Sequence, residues 1–546
     1  MQLSQQSRLR VRPAAMLLPL VAATLSLGVQ ASPLKNSTAV DNFWSGPAKF
    51  FECRFGILNS TPFGLPRCMA ADNIVEHLKM FDDIAKANGG NRAAGLPGYD
   101  ASIDYVKAEL EKAGYEVKLH AFPFNAFYPQ GPGVLQIDGT SYVFDTDFTY
   151  LTQTEAGDVT APVQAVDLQL GEGNTSSSGC EPEDFAEFTA GNIALVQRGT
   201  CAFGDKATNA AAAGATGVIV FNQGDVLDDE GRTGLINATL GDAYAGGIPV
   251  VFATYDLGLT LSESAGVPVN LVADVVREQT ETFNLTAETS GGNPDNVIMV
   301  GGHLDSVFEG PGANDNGSGS AAILELALQM KKARLRNKVR FAFWGAEEAG
   351  LVGSTQYVLG LTDAEKAQIK VYLNFDMIAS PNYGYFIYDG DGSTFGLEGP
   401  AGSTATEKLF EKYFAIRGLP FEGSEISFRS DYAQFFEEGI PFGGLFTGAE
   451  ELKTEEQAEK FGGTAGEALD PCYHAECDDI SNIDMEALEI NADAMAFVTS
   501  WLSLTTKPID EEIAVTPDPE TGDNRMALSV KSSAFDKTHW GHHWIK

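Results

Sequence analysis

At 546 residues the chain is too long for one small core, and two domains with appendages are expected. Its composition, 44% hydrophobic and 20% charged, excludes a disordered or fibrous chain. A formal net charge of −39 makes nucleic acid and anionic membranes poor partners and cations good ones.

In chain order, residues 1–31 read as a secretory signal peptide. Arg8, Arg10 and Arg12 precede the apolar run AAMLLPLVAATLSLGV, and VQA ending at Ala31 fits a small-residue cleavage site. The alternative is a membrane anchor, but the run is short and broken by Pro19. No later segment has the ~20 unbroken apolar residues of a membrane span. A secreted or periplasmic protein is therefore expected, off the membrane after cleavage and monomeric. Residues 32–69 form an N-terminal extension or propeptide. Six cysteines fall into three local pairs, Cys53 with Cys68, Cys180 with Cys201, and Cys472 with Cys477. In an oxidising compartment these read as disulfides, and none shows the repeated C-x-x-C spacing of structural zinc.

Residues 70–150 open with two helical patterns, ADNIVEHLKMFDDIAKA and GYDASIDYVKAELEKAGY, followed by a strand at YEVKLHAF. Residues 151–276 change texture. Short apolar runs (APVQAVDL, NIALVQR, TGVIVFN, IPVVFAT) alternate with Gly- and Asp-rich turns around one small-residue helix, DKATNAAAAGA. This predicts a compact, mainly β module. Residues 277–506 alternate strand and helix: DNVIMVGG, GSAAILELALQMKKARL, KVRFAFWG and IKVYLNFDM. Near-continuous apolar strands between helices predict an α/β fold, a mixed and mostly parallel sheet flanked by helices on both faces. The tail, 507–546, is polar around TPDPETGDN. Its His539, His542 and His543 could bind metal adventitiously but lack paired acids.

In open α/β sheets, ligands bind beyond the carboxyl ends of the strands. Three successive strand candidates end in metal-type residues: His303 with Asp305, Glu347 with Glu348, and Asp376. Asp315 sits in the glycine-rich connection before a helix. Each has an ordinary alternative: a hydrogen-bonded histidine, a solvated glutamate pair, a turn aspartate, and for Asp315 a helix N-cap. Their recurrence at equivalent strand ends argues for one crevice. Several close carboxylates cannot all stay ionised without cations. Mixed His and Asp/Glu donors suit zinc, with manganese or cobalt as alternatives. PCYHAEC offers His474 as a second imidazole, from only seven histidines, between cysteines that could staple its loop. YDGDGS at 388–393 lacks the spacing and terminal glutamate of a calcium-binding EF-hand and reads as a turn.

GGHLDS, GANDNGSG, FWGAEEAGLVGS, NFDMI and CYHAECD resemble, in order, the motifs of secreted di-zinc aminopeptidases of the M28 metallopeptidase family. The resemblance covers roughly 70–150 and 275–505. The stretch 155–275, with GNIALVQRGTCAFGDKATNAAAAGATGVIVFNQ, resembles a protease-associated (PA) domain inserted in the peptidase. The resemblance implies a zinc-peptidase fold and two Zn2+ per chain. His303 and Asp376 would each hold one metal, Glu348 and His474 the other, and Asp315 would bridge both. Glu347 would be the general base. Asp305 would accept the proton on the second nitrogen of His303 and fix its tautomer. Tyr473 would stabilise the oxyanion. The family also implies a cis Asp315–Asn316 bond.

On the substrate side, Arg429 matches an arginine that, in the bacterial relatives, lies near the substrate amino terminus or the intermediate. Its alternative is a salt bridge to Asp431. Phe446 could line an apolar pocket or belong to the core. The implied function is a metal-dependent aminopeptidase acting on peptide N-termini, favouring apolar first residues. A carboxypeptidase or dipeptidase on the same centre, and a receptor-like relative without activity, are the alternatives. No arginine cluster lies near the motifs to bind a substrate carboxylate, which favours the aminopeptidase.

Overall fold

The computed structural model describes Cys53, residues 58–241 and residues 243–515. The signal-peptide stretch and the tail histidines lie outside these. Among the described residues sixteen strands form two sheets. In chain order they are β1 (Val117–Pro129), β2 (Val134–Ile137), β3 (Thr140–Ser141), β4 (Phe148–Tyr150), β5 (Gly157–Ala165), β6 (Ile193–Gln197), β7 (Gly217–Phe221) and β8 (Val250–Ala253). There follow β9 (Pro268–Ala273), β10 (Val275–Glu288), β11 (Asn293–His303), β12 (Asn337–Trp344), β13 (Ile369–Phe375), β14 (Phe386–Tyr388), β15 (Glu422–Ser424) and β16 (Phe442–Phe446).

The first sheet has the order β1-β10-β12-β11-β13-β16-β14-β15. Its four central strands run parallel, β12 beside β11, β11 beside β13, and β13 beside β16, so their carboxyl ends share one edge. The outer pairings include antiparallel ones, β1 with β10, β10 with β12, and β14 with β16. The sheet is mixed, as the sequence predicts.

Burial on both faces explains the apolar runs. Ile298 and Val300 of β11 pack on one face with Val371 and Leu373 of β13. Met299 packs on the other with Trp344 and Tyr372. The first face is covered by helices 71–87, 97–113, 319–330, 403–417 and 485–504, through Leu78, Tyr99, Leu324, Phe410 and Met495 among others. Each such side chain contributes roughly 1.5–3 kcal/mol by leaving water. Helices 352–360 and 433–437 cover the second face through Val358 and Phe435.

Local signals fix the helix ends. Pro97 opens its helix, and Gly114 closes it at φ 90°, donating to the Leu110 and Glu111 carbonyls. Asp484 caps helix 485–504 by accepting from Glu486 and Ala487.

The second sheet has the order β3-β2-β9-β5-β6-β7-β8-β4, with separate apolar clusters on its two sides. It starts earlier than expected. β2, β3 and β4 pair within this sheet, so residues 134–150 join the module expected at 151–276 rather than the segment 70–150. Alternating apolar residues show that a segment is a strand, but not which sheet it joins.

All three expected disulfides are present, Cys53–Cys68, Cys180–Cys201 and Cys472–Cys477. Among the described residues no helix is long and apolar enough to cross a membrane.

Candidate active site

The parallel register delivers the candidate residues to one edge. His303 ends β11 directly opposite Trp344, which ends β12. Glu347 and Glu348 follow three and four residues later, and Asp376 follows the last residue of β13. Asp305 ties two of these ends together: its Oδ1 accepts the Glu347 main-chain N–H and its Oδ2 that of Glu348, both at 3.3 Å.

The arrangement around His303 differs in one detail from the expectation. The Asp305 carboxylate lies 3.7 Å from Nδ1, whereas the Asp305 main-chain oxygen lies at 3.2 Å. The carboxylate is drawn towards the two main-chain N–H groups, and the carbonyl becomes the nearer acceptor. Either acceptor keeps a proton on Nδ1 and leaves the Nε2 lone pair facing the crevice. Nε2 lies 3.2 Å from Asp315 Oδ1 and 3.2 Å from Asp376 Oδ1.

Asp315 sits in the turn 313–318 and does not cap the following helix. Its bond to Asn316 is cis. Its Oδ2 lies 3.2 Å from His474 Nε2, so its two oxygens face two different imidazoles. His474 Nε2 is also 3.1 Å from Glu348 Oε2. His474 occupies φ 55°, rare for a residue with a Cβ, within the loop closed by Cys472–Cys477. Its ring stacks on Tyr473 at 3.9 Å between centroids. Glu347 stands back from the others, its Oε2 4.0 Å from His303 Nε2.

Electrostatics fit a cation site. Burial alone would raise the Asp315 carboxyl, but hydrogen bonds to His303 and His474 hold it well below the usual range. Burial, and the nearby Asp315 carboxylate, push Glu348 up to about 7. Burial pushes Glu347 well up, with Glu348 and Asp431 adding repulsion. Burial acts to lower His474, yet Glu348 and Asp315 carry it up to about 10. The cluster draws protons onto both imidazoles, the demand a divalent cation would meet. Glu348 Oε1 is buried and accepts no hydrogen bond among the described residues, so a carboxylate oxygen is left to serve a cation. Three groups at this crevice, His303–Asp315–Asp376, Asp315–Glu348–His474 and His303–Glu347–Glu348, each bring their ligand atoms within 4.8 Å of one another. The donor set of imidazoles and carboxylates fits zinc.

The sequence assigns no role to four supporting residues, although one of them, Asp478, closes the motif CYHAECD. Ser430 donates to Asp376 Oδ2 at 2.6 Å. Asp478 accepts the main-chain N–H groups of Asn314 and Asp315. Asp470 accepts from the Asn314 side chain at 2.6 Å. Arg92 is wholly buried beneath the loop that runs from His303 to Asp315.

The crevice opens into a cavity of about 840 Å³. Phe446 lines it, near the end of β16, together with Met377, Phe386, Tyr388 and Phe428. Thr152, Thr239 and Gly241 of the second sheet's module form another part of its wall. Arg429 lines it too, but its partners differ from the expected one. The guanidinium pairs with Glu450 at 2.9 Å and Glu451 at 3.4 Å. Asp431 is instead fully buried, and burial pushes its carboxyl up to about 8. At 388–393, Asp389 accepts the N–H groups of Thr394 and Phe395, which makes the stretch a turn.

Comparison with known proteins gives a consistent result. Residues 284–499 match the model of peptidase family M28, and residues 159–261 that of the PA domain. An aminopeptidase of Pseudomonas aeruginosa is 59% identical over 548 residues, spanning all of both chains. A probable leucine aminopeptidase 2 of Aspergillus fumigatus is 41% identical, over 80% of this chain and 85% of that one. The structure of a zinc aminopeptidase from Bacillus subtilis superposes with a TM-score of 0.57 at 24% identity, covering 80% of this chain and 96% of that one, and shares the fold.

Proposed function

The chain belongs to peptidase family M28, and on that premise we propose that it is an exported zinc aminopeptidase. It removes the first residue of peptides and favours apolar ones. The observation that carries this reading is Asp315, whose two carboxylate oxygens face His303 and His474 at 3.2 Å, with Glu347 set back to 4.0 Å from His303.

His303 and Asp376 would hold one zinc, Glu348 and His474 a second, and Asp315 both. Zinc in such a site supplies Lewis acidity and a water acidified towards a pKa of about 7. The protein's own groups do the rest. Glu347 takes a proton on its free carboxylate and returns it to the leaving amine. The adjacent Glu347 and Glu348 thus divide proton transfer from ligation. The Tyr473 hydroxyl donates to the developing oxyanion. Asp305 fixes the Glu347–Glu348 turn, and Ser430 fixes the Asp376 carboxylate.

Substrate selection follows from the cavity. Phe446, Met377 and Phe428 offer an apolar wall to the first side chain. The acidic lining attracts a free α-ammonium. A carboxypeptidase would need a cation free to meet the substrate carboxylate. Among the described residues lining the cavity Arg429 is the one arginine or lysine, and Glu450 and Glu451 engage it. The PA module, by contributing Thr152, Thr239 and Gly241 to the wall, restricts which peptides reach the crevice. Three disulfides support export to an oxidising compartment, extracellular or periplasmic.

The test is hydrolysis of leucine p-nitroanilide beside its N-acetylated form, before and after chelation and zinc restoration. Cleavage of the free-amine compound alone, lost with chelator and regained with zinc, is expected. No cleavage of either by folded, zinc-loaded, fully processed protein would overturn the reading.

A further inference from the structure

Arg92 lies between helices 71–87 and 97–113 and is one of the largest wholly buried side chains. A buried guanidinium normally faces a carboxylate, because an unpaired buried charge is costly. Among the described residues Arg92 makes no ion pair. Its donors go to main-chain oxygens: Nε to Pro311 at 3.0 Å, one terminal nitrogen to Leu304, and the other to Gly312 at 2.7 Å. Its own main-chain N–H reaches Ser306 Oγ at 2.9 Å, and its carbonyl accepts the Ser306 N–H at 3.3 Å. The Phe81 ring lies 5.2 Å from the guanidinium carbon.

The placement of these acceptors is specific. Leu304 separates His303 from Asp305. Gly312 precedes Asp315 by three residues, and its carbonyl also accepts the Gly317 N–H at 3.0 Å. Gly312 sits at φ 63°, and a Cβ there would come within 2.3 Å of the Asp315 carbonyl. One planar cation therefore holds both ends of a loop whose first flank carries a candidate ligand of one zinc and whose second carries the carboxylate shared by both. Five N–H groups in a rigid fork can span three carbonyls, whereas a lysine ammonium cannot hold them in one plane.

We infer that Arg92 is a positioning residue that fixes the separation of His303 from Asp315, and thereby how tightly the centre retains zinc, an inference that rests on the zinc reading above. It touches neither substrate nor metal. It acts on ligand geometry through the loop, as outer-shell partners of metal ligands do.

The experiment compares purified wild type with Arg92→Lys and Arg92→Met. Zinc affinity is measured by competition with a chromogenic chelator, the rate of zinc loss to EDTA is followed, and kcat and KM are determined separately. Leu110→Ala, which cavitates the same core, serves as a control for destabilisation alone. Arg92→Lys is expected to fold and to lose about 10–100-fold in zinc affinity. Its kcat should fall while KM changes little. Arg92→Met, where it folds, should lose at least as much. Leu110→Ala should unfold more easily yet keep wild-type zinc affinity. Overturning the inference would take a Lys variant that is destabilised like Leu110→Ala but retains zinc and kcat unchanged. Wild type that binds no zinc would instead sink the metal reading, a separate outcome.

Discussion

Asp478 accepts the main-chain N–H of Asp315 through Oδ2 at 3.0 Å, and that of the preceding Asn314 through Oδ1 at 2.9 Å. A carboxylate can accept on both oxygens; an amide cannot. In Asp478→Asn the new NH2 would face a main-chain N–H, and a buried donor would be left unpaired, costing about 1–3 kcal/mol. Thermal unfolding should show that loss. Activity per folded molecule should fall too, because the displaced group is the carboxylate between the imidazoles. Wild-type kcat in a destabilised Asp478→Asn protein would contradict this.

Glu347→Gln separates proton transfer from metal binding. The side chain keeps its size, and its oxygen sits 4.0 Å from the nearest imidazole nitrogen, so zinc content should stay at the wild-type level. The rate should drop by about 10²–10⁴-fold, the usual contribution of a positioned general base. Metal analysis beside kcat checks both halves. Loss of zinc in this variant would assign Glu347 to ligation instead.

Chelation should make the fold sensitive to alkali. In the metal-free protein His474 is raised up to about 10, since Glu348 and Asp315 outweigh the burial that would lower it. A base whose folded pKa is raised gives stability that is complete below its unfolded pKa of about 6.5 and lost as pH climbs towards 10. Burial raises Glu348 to about 7, and a raised acid also loses stability as pH rises through the interval above its ordinary value. Apoprotein Tm should therefore decline between pH 5 and 10 more steeply than that of the zinc form. Parallel slopes in a pH series of melts would refute it.

The disulfides should divide by role. Cys472 and Cys477 are 5 residues apart, Cys180 and Cys201 are 21. Loop entropy assigns about 2 kcal/mol to the short bridge and about 3 kcal/mol to the longer one. Replacing Cys472 and Cys477 by Ser should thus cost less stability than replacing the other pair. It should cost far more activity, because His474 and Tyr473 sit inside that loop. Urea melts and kcat on the two double variants decide it.

The candidate centre was legible because its chemistry is written at strand ends. His303 and Asp376 each stop an apolar run, and the α/β rule turns that into a shared edge without any contact being known. The cysteines flanking His474 likewise announced a fixed imidazole. Arg92 was not legible, and the role of Asp478 was not, although it closes CYHAECD. Their roles consist of hydrogen bonds to main-chain atoms more than 160 residues away, which leave no local pattern. Arg429 shows the same difficulty on a smaller scale. Asp431, two residues away, was the obvious partner, yet the β16 exit brings Glu450 and Glu451 to the guanidinium. Strand membership failed for a related reason: β2 to β4 alternate as any half-buried strand does, and only pairing tells which sheet owns them.

The β1–β10 ladder runs antiparallel over all 13 residues of β1 and ends where Pro129 faces Val275. The chain leaves and re-enters the peptidase sheet at two adjacent points, so the second module amounts to a hairpin bend that has grown into a domain. The segments on either side are already zipped together, and closing the excursion costs little more entropy than a modest loop would. Such a graft can lengthen, change its surface or acquire new partners without disturbing the register of β11, β12 and β13. The catalytic floor and the wall above it are therefore free to diverge at different rates.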